Sequence, residues 1–332
     1  MKLVTGATGH IGNVLVRELV HRGERVRVLL YPGESRAALR DLDVEMVEGD
    51  ILDPEALDGA FAGVDMVYHL AGMISISAEP DPLVPLVNVQ GTRNVVAACR
   101  RAGVRRLVYT SSIHAIQHAA KGVVMDERLP FDPHHTLGEY DRSKARASLA
   151  VLEAVRKGLD AVIVCPTGVI GPYDFRLSET GRLLLGAIRR PVQVLIHGAY
   201  DFVDVRDVAN GIILAGERGR TGEVYILSGE AVSVRQLIHF VRAETGKRGT
   251  LILVPYWMAR LAANLAPFYA RLTRTRPLVT RYSLETVVGN CQISSAKAQQ
   301  ELGYRARPLE HSVRDSVRWF LENRGVWNKS KH

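Results

Sequence analysis

Cysteine is scarce in this chain of 332 residues, and the few cysteines are dispersed. Cys99, Cys165 and Cys291 form no C-x-x-C pair, so we expect neither a disulfide framework nor a thiolate metal site. The histidines lack a matched carboxylate or a further ligand at zinc-site spacing, and we therefore predict no metal. A Gly-x-Ser-x-Gly elbow is also missing, so a serine hydrolase is not indicated.

Long uninterrupted apolar runs are missing too. The best candidate, residues 251–272, is broken by two prolines and three polar or charged residues, namely Pro255, Arg260, Asn264, Pro267 and Arg271, which a lone membrane span rarely tolerates. We predict no membrane span and interpret the segment as a helix packed on a second lobe, with a membrane-touching or lipophilic-substrate role as the alternative. A strand-like run from Lys2 reaches Gly6 without an apolar leader, so we expect a cytoplasmic protein.

Positive charge is in modest excess. The chain has 43 Lys+Arg against 35 Asp+Glu, a net charge of +8, with 47% hydrophobic residues and only 6% aromatic residues. This composition is typical of a globular protein. The densest basic group, between Arg100 and Arg106, has no aromatic residues interleaved, so we predict a solvated face and no nucleic-acid partner. A phosphate-bearing ligand suits the same surplus.

Short apolar runs alternate with helical patterns in the first half of the chain. The six strand candidates are Lys2 to Thr5, Arg25 to Leu30, Val44 to Val47, Met66 to Leu70, Arg106 to Thr110 and Ala161 to Cys165. Residues 11–19, 89–99 and 143–155 show helical spacing between them. The alternation predicts an α/β fold: a doubly wound parallel sheet, the Rossmann fold, with helices on both faces.

The pattern loosens after Pro166 into loops that contain glycine and proline. Further strand candidates are Gln193 to Ile196 and Glu223 to Leu227, and further helices lie near Ser233 to Thr245 and Leu309 to Asn323. We predict a first domain at residues 1–170, to which an apolar helix at 203–217 returns. Residues 171–330 then form a smaller C-terminal lobe for the substrate.

Glycines cluster where the first strand meets the first helix, in the sequence Thr5-Gly6-Ala7-Thr8-Gly9-His10-Ile11-Gly12. Glycine allows a tight turn, close approach of the backbone to a pyrophosphate, and helix-on-strand contact. The exposed N–H groups and the dipole of a helix start attract the anion. We therefore predict a dinucleotide-binding site in the first domain.

The sequence Tyr140-Asp141-Arg142-Ser143-Lys144 opens the helix after the fifth strand. Residues four apart share one face of a helix, so Tyr140 and Lys144 are neighbours. An ammonium beside a phenol favours the phenolate and lowers its pKa. We predict that Tyr140 is a general acid or base and that Lys144 tunes it.

These features together resemble the extended short-chain dehydrogenase/reductase family, the NAD-dependent epimerase/dehydratase family. The resemblance rests on the G-x-x-G-x-x-G turn, the Tyr-x-x-x-Lys pair and the strand end Tyr109-Thr110-Ser111-Ser112. Other segments up to about residue 320 look like family signatures: Asp50-Ile51, His69-Leu70-Ala71-Gly72, Asn88-Val89-Gln90-Gly91-Thr92, residues 166–172, residues 202–209 and Glu301-Leu302-Gly303-Tyr304.

The resemblance implies roles for individual residues. Ser112 would share the substrate oxygen with Tyr140, and Lys144 would also bind the nicotinamide ribose. The implied cofactor-binding residues are Gly6, Thr8, Gly9, His10, Ile11, Gly12, Tyr31, Arg36, Asp50, Ile51, Leu70, Ala71, Gly72, Asn88, Thr110, Tyr140, Lys144, Pro166 and Val169.

Two departures from the family pattern affect the cofactor. Where NAD-preferring relatives carry a carboxylate at the end of the second strand, this chain has Tyr31, followed by Pro32-Gly33-Glu34-Ser35-Arg36. Arg36 can reach a 2′-phosphate, so we predict NADP, while the nearby Glu34 keeps NAD open. His10 stands where many relatives carry Phe or Tyr, and we expect it to cover the pyrophosphate.

The predicted reaction interconverts a ketone and a secondary alcohol, as in the dihydroflavonol reductase and 3β-hydroxysteroid dehydrogenase branch that the chain resembles. Ile113, His114 and Ala115 stand where a dehydratase would want an acid pair. Lipophilic walls are suggested by Val254, Tyr256, Trp257, Met258, Leu261 and Phe268. A nucleotide-sugar epimerase or dehydratase with tightly held cofactor, or a non-catalytic NADP sensor, stays open.

The resemblance also implies a homodimer through helices near 89–101 and 141–156.

Overall fold

The computed structural model describes residues 1–75, 81–120, 122–135, 138–273 and 281–323, with side chains described except at 267–273. Its strands are β1 (Lys2–Thr5), β2 (Val26–Leu30), β3 (Glu45–Glu48), β4 (Met66–His69), β5 (Arg106–Thr110), β6 (Ala161–Pro166), β7 (Gly168–Ile170), β8 (Val192–Leu195), β9 (Ala199–Asp204), β10 (Val224–Leu227), β11 (Glu230–Ser233) and β12 (Thr250–Leu253). Its α-helices are α1 (His10–His21), α2 (Pro54–Phe61), α3 (Leu83–Pro85), α4 (Thr92–Arg101), α5 (Glu139–Arg156), α6 (Glu179–Arg189), α7 (Val205–Arg218), α8 (Val234–Thr245), α9 (Tyr256–Thr273), α10 (Arg281–Val288), α11 (Ala296–Leu302) and α12 (Leu309–Glu322).

A parallel sheet, seven-stranded within the described residues, forms the centre of the molecule. Its strand order is β10-β6-β5-β4-β1-β2-β3. This order confirms the predicted doubly wound α/β fold. From β1 the sheet is extended first on one side, by β2 and β3, and then on the other side, by β4 and the strands after it. The carboxyl ends of β1 and β4 therefore border a crevice, which is where ligands bind in such sheets.

Apolar helices cover both faces of the sheet. On one face α1, α7 and α11 share a core with β1, β2 and β10, to which Leu15, Val208 and Ala298 contribute fully buried side chains. On the other face α2, α4 and α5 pack through residues such as Phe61 and Val151. Five of the six predicted strands are buried almost throughout. The sixth, β3, is an edge strand with two exposed glutamates, so its prediction as a buried strand was wrong.

One strand lies in a different sheet from the one we expected. The segment Glu223 to Leu227 was predicted with the second lobe, but β10 pairs in parallel with β6 and extends the large sheet. All of β10 except Val224 is buried, as a strand covered by α7 and α11 must be. The division of the chain at residue 170 stays a prediction.

The second lobe is built from two small sheets and three amphipathic helices. One sheet has the order β11-β9-β7, and β8 pairs with β12. The helices α6, α8 and α12 enclose a core that includes Leu237, Val313 and Phe320. Ser233 caps α8 by accepting a hydrogen bond from the N–H of Gln236, which explains why this helix begins where the sequence predicted.

The apolar segment 251–272 is not one helix. Residues 250–253 form β12, and α9 begins only at Tyr256, because Pro255 disfavours helical backbone at the residue before it. The inner face of α9 packs Ala259 and Ala263 against Leu284 of α10. Within the described residues, no helix combines the length and the apolar character that crossing a membrane requires.

Candidate active site

The first turn is too crowded for any residue but glycine at two positions. A Cβ on Gly12 would lie 2.1 Å from the carbonyl oxygen of Gly6. Gly6 has a φ of 71°, and a Cβ there would lie 2.6 Å from the amide nitrogen of Ala71. The turn after β1 therefore presses directly against the chain that leaves β4, so Gly6, Gly12, Leu70 and Ala71 lie together as predicted.

The N-terminus of α1 faces this turn. Its N-cap, Gly9, supplies no side-chain hydrogen bond, so the first N–H groups of the helix are available to an anion. His10 bonds through Nε2 to the carbonyl oxygen of Pro172 at 3.0 Å, while its buried Nδ1 has no hydrogen-bond partner in the described part of the chain. Ile11 packs, partly buried, on the core beside it.

A buried chain of hydrogen bonds that the sequence did not reveal holds the strand ends together. The N–H of Ala71 donates to Thr5 Oγ1 at 3.2 Å, and Thr5 Oγ1 lies 2.7 Å from His69 Nδ1. His69 Nε2 lies 3.1 Å from Thr92 Oγ1, which donates to the carbonyl oxygen of Asn88 at 2.6 Å. Complete burial lowers the pKa of His69 to about 3, so a neutral imidazole protonated on Nε2 satisfies every partner.

Asn88 ties the loop after β4 to the start of α5. Its amide donates to Met73 O and to Ser143 Oγ, each at 2.9 Å, and its oxygen accepts from the N–H of Met73 at 2.7 Å. A Cβ on Gly72 would lie 2.9 Å from Asn88 Oδ1 and 3.8 Å from Lys144 Nζ. The predicted residues Gly72, Asn88 and Lys144 therefore meet at one point above the sheet.

Ser112, just beyond the end of β5, and Tyr140, in the first turn of α5, are the residues predicted to contact the substrate oxygen. Ser112 Oγ accepts from the N–H of His114 at 3.2 Å, which leaves its proton for the Tyr140 phenol. Burial raises the pKa of Tyr140 to about 12, and the hydrogen bond from Ser112 opposes that rise. Ser111 points the other way and bonds Ser148 of α5 at 2.7 Å.

The pKa of Tyr140 is raised overall by burial, not lowered as we expected, and the ammonium of Lys144 is bonded to β5. Lys144 Nζ donates to Thr110 O at 2.7 Å and to the hydroxyl of Tyr109 at 3.3 Å, both on β5. Burial lowers the pKa of Lys144 to about 8. Although the two residues are four apart on one helix, the hydrogen bonds of the lysine side chain join it to the sheet.

Aromatic residues from distant segments surround His114. Its Nε2 lies 2.7 Å from the hydroxyl of Tyr200, and its ring contacts Tyr282 with centroids 5.8 Å apart. A Cβ on Gly168 would lie 2.5 Å from the Tyr200 ring, so glycine is needed for this approach. Burial lowers the pKa of His114 to about 3, and the imidazole is therefore neutral. No local pattern indicated Tyr200 or Tyr282, because β9 and α10 carry them to the site from far along the chain.

Asp141, next to Tyr140, is a fully buried carboxyl. Its Oδ1 accepts from the hydroxyl of Tyr282 at 2.8 Å, and its Oδ2 lies 3.3 Å from His135 Nδ1. Burial raises the pKa of Asp141 to about 7, while the bond from Tyr282 lowers it. Burial also lowers the pKa of His135 to about 4, so this imidazole carries no charge at neutral pH.

The end of β2 differs from the sequence-based expectation. Arg36, predicted to meet a 2′-phosphate, instead donates to Glu48 at 2.7 Å. The carboxylate of Glu34 accepts from Thr8 Oγ1 at 2.6 Å and from the N–H of Tyr31 at 3.3 Å. Arg176, from the second lobe, forms an ion pair with Glu34 and donates to Thr8. Arg176 was missed because only the fold brings it to this turn.

The other predicted cofactor residues lie in or just after strands β3, β5, β6 and β7. Asp50 Oδ1 accepts from the N–H of Leu52 at 2.9 Å, and Ile51 packs against Gly91, where a Cβ would lie 2.5 Å from Ile51 Cδ1. Thr110 has a buried Oγ1 with no hydrogen-bond partner among the described residues. Pro166 ends β6, and Val169 in β7 accepts from Thr180 at 2.6 Å.

These features fit a dinucleotide. A side chain at Gly6 or Gly12 would clash with the backbone, and the start of α1 offers N–H groups. His10 Nδ1 at the start of α1 and Thr110 Oγ1 at the end of β5 are buried polar atoms without partners among the described residues. In the described residues, no three His, Cys, Asp or Glu side chains are grouped so as to hold a metal ion.

Comparisons with known proteins agree with this geometry. A model of the NAD dependent epimerase/dehydratase family matches residues 2–228. The chain is 36% identical over 323 residues to Sterol demethylase protein B of Methylococcus capsulatus, covering 96% of this chain and 98% of that protein. It is 32% identical over 326 residues to a putative dihydroflavonol 4-reductase of Synechocystis sp., covering 97% and 94%. The crystal structure of gox2253 matches with a TM-score of 0.84 at 36% identity, covering 97% of this chain and 98% of that chain. The chain therefore belongs to the NAD-dependent epimerase/dehydratase family of extended short-chain dehydrogenases/reductases, and it is an oxidoreductase that uses a nicotinamide cofactor.

Proposed function

We propose that the protein interconverts a ketone and a secondary alcohol, with Tyr140 as the proton donor and acceptor. The observation that carries the proposal is the hydrogen-bonded pair of Ser112 and Tyr140 at the carboxyl end of β5, beside the glycine turn. A bound nicotinamide would supply or take up the hydride at the carbon that bears the oxygen. The chain itself then has to bind the oxygen and move one proton.

The protonation states support the reducing direction at neutral pH. With a pKa of about 12, Tyr140 holds its proton and can donate it to the oxygen of a ketone. Ser112 donates a second hydrogen bond to the same oxygen and stabilises the negative charge that develops there. Lys144, held on Thr110 O, has its ammonium next to Gly72, where it can orient a ribose.

The substrate we propose is a lipophilic ketone or alcohol without a charged group near the reacting carbon. His114, Tyr200 and Tyr282 form neutral walls beside Ser112, and Ile113 and Ala115 flank His114 where an acid pair would stand in a dehydratase. The names of the sterol and dihydroflavonol relatives support the same class. The lipophilic wall that we predicted on α9 does not gain support, because Trp257, Met258 and Leu261 are exposed. The side chain of Phe268 lies outside the described residues.

For the cofactor we propose NAD rather than the NADP predicted from Arg36. Glu34 places a carboxylate on Thr8 beside the glycine turn, where it would accept hydrogen bonds from a ribose diol. Its ion pair with Arg176 reduces, without reversing, the preference against a 2′-phosphate that this carboxylate sets. Arg36 is paired with Glu48 and more than half exposed. We expect Glu34→Gln to shift the ratio of kcat/KM values toward NADPH by about tenfold or more, and Arg36→Ala, the matched control, to leave it unchanged. A strong wild-type preference for NADPH that Arg36→Ala removes would establish the opposite assignment.

The test of the reaction follows NADH and NADPH absorbance against steroid, flavonoid and simple aromatic ketones. We expect Tyr140→Phe to reduce kcat by about a hundredfold or more while cofactor affinity stays within a few-fold, because the phenol moves the proton. Ser112→Ala should lower kcat less, since Tyr140 still donates. Retained cofactor with an isomerised or dehydrated product would support the epimerase or dehydratase alternative, and tight binding without any turnover would support a sensor.

We also propose a homodimer located in the cytoplasm. The helices α4 and α5 pack side by side on the outer face of the sheet, and Leu149 of α5 is exposed there. A two-fold contact between the same two helices would bury this side chain. Sedimentation of wild type and of Leu149→Arg at micromolar concentration tests the dimer, which the arginine should dissociate.

A further inference from the structure

Helix α9 has two apolar faces, and only one of them is buried. Ala259 and Ala263 pack against α10. On the other side Trp257, Met258, Leu261 and Leu265 are exposed, with Trp257 at 66% of its full accessible area. At 100° per residue these four side chains lie within an arc of about 100°, so they form one continuous stripe.

The small sheet of β8 and β12, which precedes α9 in the chain, has exposed apolar side chains of its own. Val194 of β8 and Ile252 of β12 are directly paired, and both are exposed on the same face, as is Val192. We call these seven residues the apolar surface: Val192, Val194, Ile252, Trp257, Met258, Leu261 and Leu265. They are half of the large hydrophobic side chains that are exposed in the described part of the chain. Concentrated exposure of this kind marks an interaction site.

The stretch of sequence that contains β12 and α9 is basic, although Glu285 of α10 lies beside it, where it accepts a hydrogen bond from Tyr256 and pairs with Arg281. From residue 245 to residue 284 the sequence contains seven basic residues and no Asp or Glu: Lys247, Arg248, Arg260, Arg271, Arg274, Arg276 and Arg281. Arg274 and Arg276 fall outside the described residues. Arg260 is exposed and lies beside Trp257 on the helix surface, three residues along. Two more exposed arginines, Arg189 and Arg190, precede β8.

We propose that the apolar surface docks on the face of a phospholipid bilayer that contains anionic lipids. A bilayer offers an apolar layer for the stripe and a negatively charged headgroup layer for the arginines, and tryptophan favours the boundary between the two. A second copy of this chain fits less well, because a symmetric contact would bring the same basic segment against itself. This inference does not depend on the proposed reaction.

The experiment measures flotation of the purified protein with vesicles of phosphatidylcholine alone and of phosphatidylcholine mixed with phosphatidylglycerol. We expect binding to the mixed vesicles that weakens as salt is added, with a blue shift of tryptophan fluorescence as Trp257 leaves water. The double variant Leu261→Gln/Leu265→Gln should reduce the bound fraction by about tenfold or more. Leu83→Gln/Leu86→Gln, which alters two leucines of comparable exposure (51% and 44%) away from the apolar surface, is the matched control and should still bind.

Several results would overturn the inference. They are absence of binding to the mixed vesicles at low salt, and binding that the Leu261/Leu265 variant leaves unchanged. Loss of a wild-type oligomer in that variant, without vesicle binding by the wild type, would assign the surface to a second copy. If the double variant does not fold, Arg248→Glu/Arg260→Glu at exposed positions replaces it, and equal binding by this variant and wild type would refute the charge argument.

Discussion

Replacing Asp141 by asparagine should stabilise the protein at high pH relative to low pH. The carboxyl of Asp141 is fully buried, and its neighbours are the neutral groups Tyr282 and His135. Burial raises its pKa from 3.8 to about 7. A carboxyl that binds its proton more tightly in the folded chain contributes stability at low pH, and this contribution is lost as the pH rises toward 7.

The magnitude follows from the distance between the working pH and the folded pKa. At pH 5 Asp141 is protonated in the folded protein and ionised in the unfolded chain. Because pH 5 lies about two units below the folded pKa, and each unit is worth about 1.36 kcal/mol, this difference stabilises the folded protein. At pH 8 Asp141 is ionised in both the folded protein and the unfolded chain, and this stabilisation is lost. Asparagine mimics the protonated acid at every pH. The free energy of unfolding of Asp141→Asn relative to wild type should therefore increase by about 2.5 kcal/mol from pH 5 to pH 8.

Urea unfolding of both proteins at pH 5, 6, 7 and 8 measures this difference directly. Asp43→Asn removes an exposed carboxylate and serves as the control. Tyr282→Phe gives a second test, because loss of the hydrogen bond that lowers the pKa of Asp141 should move the transition to higher pH. A difference between Asp141→Asn and wild type that stays constant, or that decreases with pH, would refute the reasoning.

Two further predictions concern the scaffold of the site. Gly12→Ala should abolish NADH binding in a fluorescence titration, since its Cβ would lie 2.1 Å from the carbonyl oxygen of Gly6, whereas Gly59→Ala, with no atom within 4 Å of the new Cβ, should bind normally. His69→Leu should lower the free energy of unfolding by about 1–3 kcal/mol in urea, because two buried threonine hydroxyls lose their partner. Unchanged binding by Gly12→Ala, or unchanged stability of His69→Leu, would contradict the geometry given for the turn and the strand ends.

The large sheet was predictable because strands that are buried on both faces consist mainly of apolar residues. Strand β6 is a continuous apolar run, β1 has two adjacent buried apolar residues, and the helices between the strands keep helical spacing. A strand's own residues do not specify its neighbour, so β10 was placed in the wrong sheet. Similarly, the apolar composition of 251–272 concealed β12, whose pairing with β8 is a long-range contact.

The candidate site was predictable only where local sequence sets the geometry. Turn glycines and a tyrosine four residues before a lysine can be read along the chain. The contacts of Arg176 with Glu34, and of Tyr282 with Asp141, join residues more than 140 positions apart. The pKa of Tyr140 was mispredicted for a related reason. Helical spacing places Lys144 on the same face, but burial and the carbonyl oxygen of Thr110 decide where its ammonium lies.

Burial is the main physical influence on the ionisable groups of this site, and it favours neutral forms. It lowers the pKa of His69 and of His114 to about 3, and it keeps the proton on Tyr140. In the proposed reaction a neutral ketone would lie against the neutral side chains of His114, Tyr200 and Tyr282. The negative charge that develops on its oxygen would meet two hydroxyl donors, Ser112 and Tyr140. A carboxylate at position 114, as a dehydratase would require, would face the uncharged rings of Tyr200 and Tyr282, where burial of a charge is costly. The same walls that suit transfer of a single proton to a neutral substrate therefore disfavour acid-pair chemistry.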